Sequence, residues 1–191
     1  MSSVEIKIGG LGGQGVILAG MIIGRGASLF GGKYSSLTQS FGPEARGSAC
    51  SAQVVVSDEP VEYPYVTNPD ILVVMSQEAC NSFLPDVSPT GTLILEEELV
   101  TPQNVNPTIT QYGIPSTRLA EELKRRMVAN IVMVGFFAAV TDIVDVEAFR
   151  SSVKGSVPKG TESLNLSAFE RGYSYGVEML LKKSRKPAKA S

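Results

Sequence analysis

The chain has 191 residues, 43% of them hydrophobic and 19% charged, which is enough material for a packed core and excludes a disordered protein. It has no histidine and only two cysteines, which excludes histidine-assisted nucleophiles, the usual zinc sites and an iron–sulfur cluster with four cysteine ligands. The net charge is −2, and outside the C-terminal tail the chain is clearly acidic, which excludes the composition of a nucleic-acid-binding protein.

Strand-like and helix-like segments alternate along the chain. Strands are predicted at 4–8, 34–40, 52–57, 71–75, 91–95 and 108–112. Helices are predicted at 16–30, 77–84, 116–126, 131–144, 146–153 and 167–183, with Ser116 as the N-cap of the third. This order predicts an α/β fold, a Rossmann-like and mostly parallel sheet with helices on both faces and extra helices at the C-terminus.

The first strand has charges where a central strand should be apolar. Glu5 and Lys7 point to the same face of the strand. Either that face of the sheet is partly open, or the two charges are paired with other groups.

A glycine-rich turn follows this strand and precedes the first helix. It reads Gly10-Leu11-Gly12-Gly13-Gln14-Gly15, and in that setting backbone amides and the helix N-terminus favour an anion. The alternative is a tight turn that only packs the helix on the strand. A dinucleotide site also needs a carboxylate at the end of the second strand, but that strand ends near Ser40, and Glu44 comes too late. The loop therefore suits phosphate or backbone contact better than NAD.

The first helix contains three glycines, at positions 20, 24 and 26, and its only charge is Arg25. A helix that is apolar nearly all round is expected to be buried on most faces. Its partner is either the core of this chain or another subunit. A second helix of this kind at 131–140 favours an obligate oligomer.

A second loop, at 39–48, combines a cation, a carboxylate and an aromatic ring on a glycine–proline frame. It lies beside the glycine loop if the two strands are adjacent. Arg46 is then the natural ligand for a phosphate or carboxylate, and the alternative is a surface pair between Glu44 and Arg46.

Together the two loops resemble the gamma subunit of the 2-oxoacid:ferredoxin oxidoreductases. The family pattern G-x-G-G-Q-G-V matches residues 10–16, and S-[YF]-G-P-E-x-R-G-[GS] matches residues 40–48. Asp70, the helix around Asn130 and the segment 168–172 also fit. The likeness covers nearly the whole chain.

The resemblance implies that a complex containing this chain converts a 2-oxoacid, coenzyme A and oxidised ferredoxin to an acyl-CoA, carbon dioxide and reduced ferredoxin. Among the oxoacids, 2-oxoglutarate is favoured over branched-chain 2-oxoacids and pyruvate. Thiamine diphosphate, iron–sulfur clusters and Mg are implied on partner subunits, and coenzyme A is the co-substrate. The chain itself is expected to hold no cofactor, metal or catalytic residue, and to be inactive alone.

The implied role of the chain is to help form the coenzyme A crevice beside the thiamine site. The residues predicted to contact coenzyme A or the adjoining interface are Gly10, Gly12, Gly13, Gln14, Gly15, Ser40, Glu44 and Arg46. Two alternatives are a purely structural scaffold subunit and a free-standing Rossmann-type nucleotide-binding oxidoreductase.

The expected partners are alpha and beta subunits, with or without a delta subunit, and ferredoxin through the complex. Neither nucleic acid nor a membrane is expected as a partner, and the isolated chain is expected to be able to form a homodimer. Residues 1–181 are predicted to be one domain, and the basic tail 182–191 is predicted to be disordered. Two isolated cysteines, and the lack of a secretory or spanning segment, predict a cytoplasmic location.

Overall fold

The computed structural model describes residues 3–41 and 49–185 and contains one six-stranded sheet. The strands lie in the order β2-β3-β1-β4-β5-β6. Their bounds are β1 Ser3–Leu11, β2 Tyr34–Phe41, β3 Ala49–Ser57, β4 Ile71–Val74, β5 Thr92–Glu96 and β6 Thr110–Ile114.

The sheet is mostly parallel, as predicted. β1, β4, β5 and β6 run parallel to one another, whereas β3 runs antiparallel to both β1 and β2. A β2–β3 hairpin therefore takes the place of the second parallel strand of a dinucleotide-binding fold. As a result β2 is not adjacent to β1, although the predicted position of the second loop beside the glycine loop depended on that adjacency. Residues 42–48 of that loop lie outside the described residues.

Helices cover both faces of the sheet, but unequally. α2 lies on one face, over β1 and β4, and residues of the other five helices pack on the opposite face. The helix bounds are α1 Val16–Arg25, α2 Gln77–Phe83, α3 Ser116–Glu122, α4 Ala129–Val140, α5 Val146–Ser156 and α6 Glu162–Arg185. A π-helical turn, Gly26–Phe30, continues α1, and 3₁₀ turns occupy Leu84–Asp86 and Arg126–Val128.

Two predictions about the third helix are wrong. Ser116 is the first residue of α3 and not its N-cap, a position that Pro115 takes. The helix ends at Glu122 and not at 126, because Lys124 adopts a left-handed backbone with φ of 58°.

The last helix begins earlier than the apolar pattern predicts. Thr161 forms a turn on the carbonyl of Pro158, and Asn165 donates back to Thr161, so α6 starts at Glu162. At the other end, residues 182–185 are still helical, and the remainder of the predicted tail lies outside the described residues.

The core is built around the crossing of α4 and α6. Every residue of α4 from Ala129 to Ala138 is buried, and Gly135 and Gly172 lie at the contact between the two backbones. A Cβ added at Gly135 would meet the carbonyl of Phe169, and one at Gly172 would meet the carbonyl of Val132.

None of the helices in the described part of the chain combines the length and the hydropathy needed to span a membrane.

The glycines of α1 also pack inside the chain. A Cβ at Gly20 would lie 2.6 Å from that of Ala52 on β3, and one at Gly24 would lie 3.6 Å from Val54. These glycines therefore allow close packing in the core of this chain, the first of the two expected partners. They give no independent support for an oligomer.

The charges of β1 are paired, which was one of the two expected explanations. Lys7 is buried, with its Nζ 3.8 Å from a carboxylate oxygen of Asp86 and 4.6 Å from the ring centre of Phe83. A carboxylate oxygen of Glu5 accepts a hydrogen bond from the backbone amide of Thr67 at 3.1 Å.

Candidate functional site

The glycine loop joins β1 to α1 at the carboxyl edge of the parallel strands. Gly13 and Gly15 have φ of 92° and 73°, a left-handed conformation that other residues adopt at a cost of about 1–2 kcal/mol. No side chain caps the N-terminus of α1, and its first turn has no acidic residue. The positive end of the helix dipole is therefore not neutralised within the helix.

Two side-chain amides hold this loop in place. The Gln14 Oε1 accepts a hydrogen bond from the Leu11 amide at 2.6 Å, and its Nε2 donates to the Met75 carbonyl at 2.9 Å. From α4, the Nδ2 of the buried Asn130 donates to the Gly15 carbonyl at 3.1 Å. The loop is thus fixed to the end of β4 and to the start of α4.

The predicted loop residues divide into an inward and an outward set. Gly10 is buried in β1, and a Cβ there would lie 2.7 Å from the Gln14 Oε1. Gly12 and Gly13 are exposed, and a Cβ added at either would meet no atom of the described chain within 4 Å. Their backbone is therefore open to a ligand or to another chain.

A cleft of about 260 Å³ adjoins this open backbone. Its most exposed side chains are Met127, with 91% of its surface exposed, and Arg126, whose Nε lies 3.8 Å from a carboxylate oxygen of Glu121. The lining residues are Gly13, Gln14, Met75, Leu99, Thr117, Arg126, Met127 and Ala129. Arg126 and Met127 are not among the site residues predicted from the sequence, although a basic residue beside a methionine between two predicted helices was a usable signal.

A buried carboxylate supports the far wall of the cleft. Glu96 ends β5 with no exposed surface, and it accepts hydrogen bonds from the hydroxyl of Ser116 and from the backbone amide of Thr117 at 2.8 Å. It also accepts from the Thr117 hydroxyl at 3.1 Å and from the Glu98 amide at 3.2 Å. Because these partners all donate, the carboxylate ties β5 to the start of α3. The hydroxyl residues Ser116 and Thr117 after β6 predict a helix cap at the start of α3. Nothing in the local sequence identifies Glu96 as the group that accepts their hydrogen bonds.

The second loop is only partly described. Ser40 pairs with Ser51 on β3, which in turn pairs with Gly9, so Ser40 lies two strand spacings, or about 10 Å, from β1. The predicted ligands Glu44 and Arg46 lie outside the described residues. Ala49, where the chain enters β3, pairs with Leu11 at the glycine loop. The structure thus brings together the residues of the first motif and places beside them the strand residue that follows the second motif.

The described residues offer binding groups at this edge of the sheet. They contain no group of three or more Cys, Asp or Glu side chains arranged to hold a metal ion. Cys50 and Cys80 are free, and burial raises the pKa of both thiols, so neither is a reactive thiolate. The arrangement can hold an anion against backbone amides and can contact a partner.

Comparison with known proteins identifies the family. Residues 5–175 match the family model of pyruvate ferredoxin/flavodoxin oxidoreductase. The chain is 47% identical over 177 residues to the 2-oxoglutarate synthase subunit KorC of Methanocaldococcus jannaschii, covering 92% of this chain and 95% of that relative.

Two solved structures share the fold. The gamma subunit of a keto/oxoacid ferredoxin oxidoreductase from Geobacter sulfurreducens is 34% identical with a TM-score of 0.84, covering 93% of this chain and 98% of that one. A 2-oxoglutarate:ferredoxin oxidoreductase from Magnetococcus marinus, with 2-oxoglutarate, coenzyme A and succinyl-CoA bound, has a TM-score of 0.82 at 20% identity. It covers 98% of this chain and 32% of that one, and at this identity the likeness concerns the fold alone.

The family match spans most of the chain, the relatives match over nearly their whole length, and the predicted family and fold are confirmed. The chain belongs to the pyruvate ferredoxin/flavodoxin oxidoreductase family and is similar throughout to its gamma subunits.

Proposed function

We propose that this chain is the gamma subunit of a multi-subunit 2-oxoglutarate:ferredoxin oxidoreductase, which converts 2-oxoglutarate and coenzyme A to an acyl-CoA and carbon dioxide with reduction of ferredoxin. The choice of 2-oxoglutarate rests on the near full-length similarity to a 2-oxoglutarate synthase subunit.

The role proposed for the chain is to hold the anionic part of coenzyme A. The observation that carries this role is the uncapped N-terminus of α1, together with the open backbone at Gly12 and Gly13. In our proposal the amides of residues 12–15 and the guanidinium of Arg46 meet the phosphates of coenzyme A, or the subunit surface beside them. The side chain of Gln14 contributes indirectly, because its amide is already bonded within the loop.

The proposed partners are alpha and beta subunits, with or without a delta subunit. Thiamine diphosphate, Mg and iron–sulfur clusters belong to those subunits in this proposal, and the thiamine group supplies the carbon chemistry. The residues of this chain bind and orient the co-substrate. We place the complex in the cytoplasm, where the free thiols of Cys50 and Cys80 stay reduced.

A role limited to subunit contact is the second candidate. It is favoured by Met127, which is almost fully exposed at the rim of the same cleft. An exposed methionine beside an open backbone suits a protein surface as well as a ligand.

The Gly12→Ala substitution in the assembled complex tests the proposal. Gly12 has no positive φ, and its new methyl group meets no atom of the described chain, so the variant should fold normally. If Gly12 lies against a coenzyme A phosphate, the new methyl group should push that phosphate away from the neighbouring backbone amides. The KM for coenzyme A should then rise about tenfold, which corresponds to the loss of one hydrogen bond to a charged group of about 1.5 kcal/mol. Arg46→Ala should raise the same KM.

Gly155→Ala on α5 is the matched control, since the nearest atom to its new Cβ is the Arg25 guanidinium at 3.8 Å. Steady-state rates with varied coenzyme A, and the subunit content by gel filtration, are measured for each variant. Unchanged KM values in Gly12→Ala and Arg46→Ala would overturn the coenzyme A contact. Loss of partner subunits with normal kinetics in the remaining complex would favour the scaffold role.

A further inference from the structure

The two edges of the sheet are protected very differently. At the β6 edge, Lys183 of α6 donates from its Nζ to the Gln111 carbonyl at 3.4 Å, and the same Nζ lies 4.4 Å from the ring centre of Tyr112. A lysine over a short edge strand is one of the ways by which proteins prevent further strand pairing. The β6 edge, with five residues, is therefore covered.

The β2 edge has none of these protections. β2 runs for eight residues, Tyr34–Phe41, and contains neither a charged residue nor a proline. β3 is the only strand that pairs with it, so its outer backbone groups face no strand within the described residues. A long uncharged edge strand is a ready template for pairing with a strand of another chain.

Exposed apolar side chains border this edge. Leu37 lies in the middle of β2 on the helix-covered face, and 37% of its surface is exposed. Met21 on α1 is also 37% exposed, and Leu29 and Phe30 in the π-helical turn are 60% and 48% exposed. Both α1 and the π-helical turn contact β2. A partner strand that pairs with β2 would cover part of this apolar surface.

We infer that β2 pairs antiparallel with β2 of a second copy of this chain, so that two sheets join across a two-fold axis. In such an interface residue i of one strand meets residue j of the other and j meets i, so a charge near the two-fold axis would lie close to its own copy. β2 is uncharged along its whole length, which suits self-pairing. The inference goes beyond the proposed function, because it concerns the contact between two gamma subunits and not the glycine loop.

Sedimentation of the purified full-length chain tests the pairing with charge variants of Leu37. The wild-type chain should sediment as a dimer. Leu37→Lys and Leu37→Glu should each give monomers, because like charges meet near the axis. An equal mixture of the two variants should restore a dimer, which also shows that both are folded. Thr110→Lys, on the exposed part of the β6 edge, is the control and should leave the dimer intact.

Three outcomes would overturn the inference: a monomeric wild-type chain, a dimer that ignores charge at Leu37, or a mixture that stays monomeric. In the assembled complex, oxidation of a Leu37→Cys variant should yield a gamma–gamma disulfide, because position 37 lies near the two-fold axis. The native cysteines are buried and will not compete. If oxidation gives no gamma–gamma product, or gives a cross-link to a larger subunit, then a different chain covers β2. Either result would overturn self-pairing.

Discussion

The glycine loop and the α4–α6 crossing use the same amino acid for opposite purposes. At the crossing, Gly135 and Gly172 are required because the backbone of the other helix occupies the place of a side chain. In the loop, Gly12 and Gly13 face open space, and nothing in the described chain fills the place of a side chain. Glycine thus marks tight internal packing in one region and accessible backbone in the other.

This difference separates stability from function. A methyl group at the crossing must move a helix, whereas a methyl group at Gly12 meets no atom of the described residues. Substitutions to alanine at the two places should therefore differ in the free energy of unfolding, and the loop should respond mainly through what it binds.

The largest effect is expected for Gly172→Ala. The new Cβ would overlap the carbonyl of Val132, which cannot move without separating α4 from α6. The variant should lose about 3 kcal/mol or more of unfolding free energy, at the upper end of overpacking effects. Urea denaturation followed by circular dichroism measures it. A loss below about 1 kcal/mol would show that the helices separate easily and that the crossing is not a fixed contact.

An intermediate effect is expected for Gly15→Ala. Gly15 has a φ of 73°, and a Cβ there would overlap the side chain of Asn130, which is free to rotate but would lose its hydrogen bond. The sum of backbone strain and a lost bond is about 2 kcal/mol. Thermal denaturation of Gly15→Ala, of Asn130→Ala and of the double variant tests this. If Asn130→Ala does not relieve part of the loss in the double variant, the clash is not its cause.

The smallest effect on stability is expected for Gly12→Ala. Its unfolding free energy should stay within about 0.5 kcal/mol of the wild-type value, as for other surface substitutions. The same denaturation experiment serves, with Gly155→Ala as the control for an open glycine elsewhere. A clear loss at Gly12 alone would mean that the loop is tighter than its open surroundings indicate, and the contrast between the two regions would fail.

Much of the fold could be predicted from the chain's periodicity. The apolar run at 71–75 and the alternation at 4–8 correspond to β4 and β1, since both patterns follow directly from burial. Helix ends were less predictable. Lys124 stops α3 through its backbone conformation, and Asn165 starts α6 through a local bond to Thr161, and neither effect leaves a hydrophobic signal.

The site was predictable to the extent that its motif is local. The glycine turn occupies consecutive positions, so its placement between β1 and α1 followed from the order of elements. Asn130 and Glu96 act from distant parts of the chain, and their contacts depend on how α4 and β5 pack. The insertion of β3 between β1 and β2 was also not visible, because strand order is not encoded in the alternation of any one strand.

The antiparallel register of β3 has a consequence for the connection that joins it to β2. Phe41 pairs with Cys50, and Ala49 pairs with Leu11, so both ends of the connection 42–48 are anchored in the sheet. Residues gained or lost inside a connection whose ends are fixed add little to the free energy of loop closure. The sheet therefore sets little limit on the length of this connection, and a fixed length or sequence there would reflect what Glu44 and Arg46 bind.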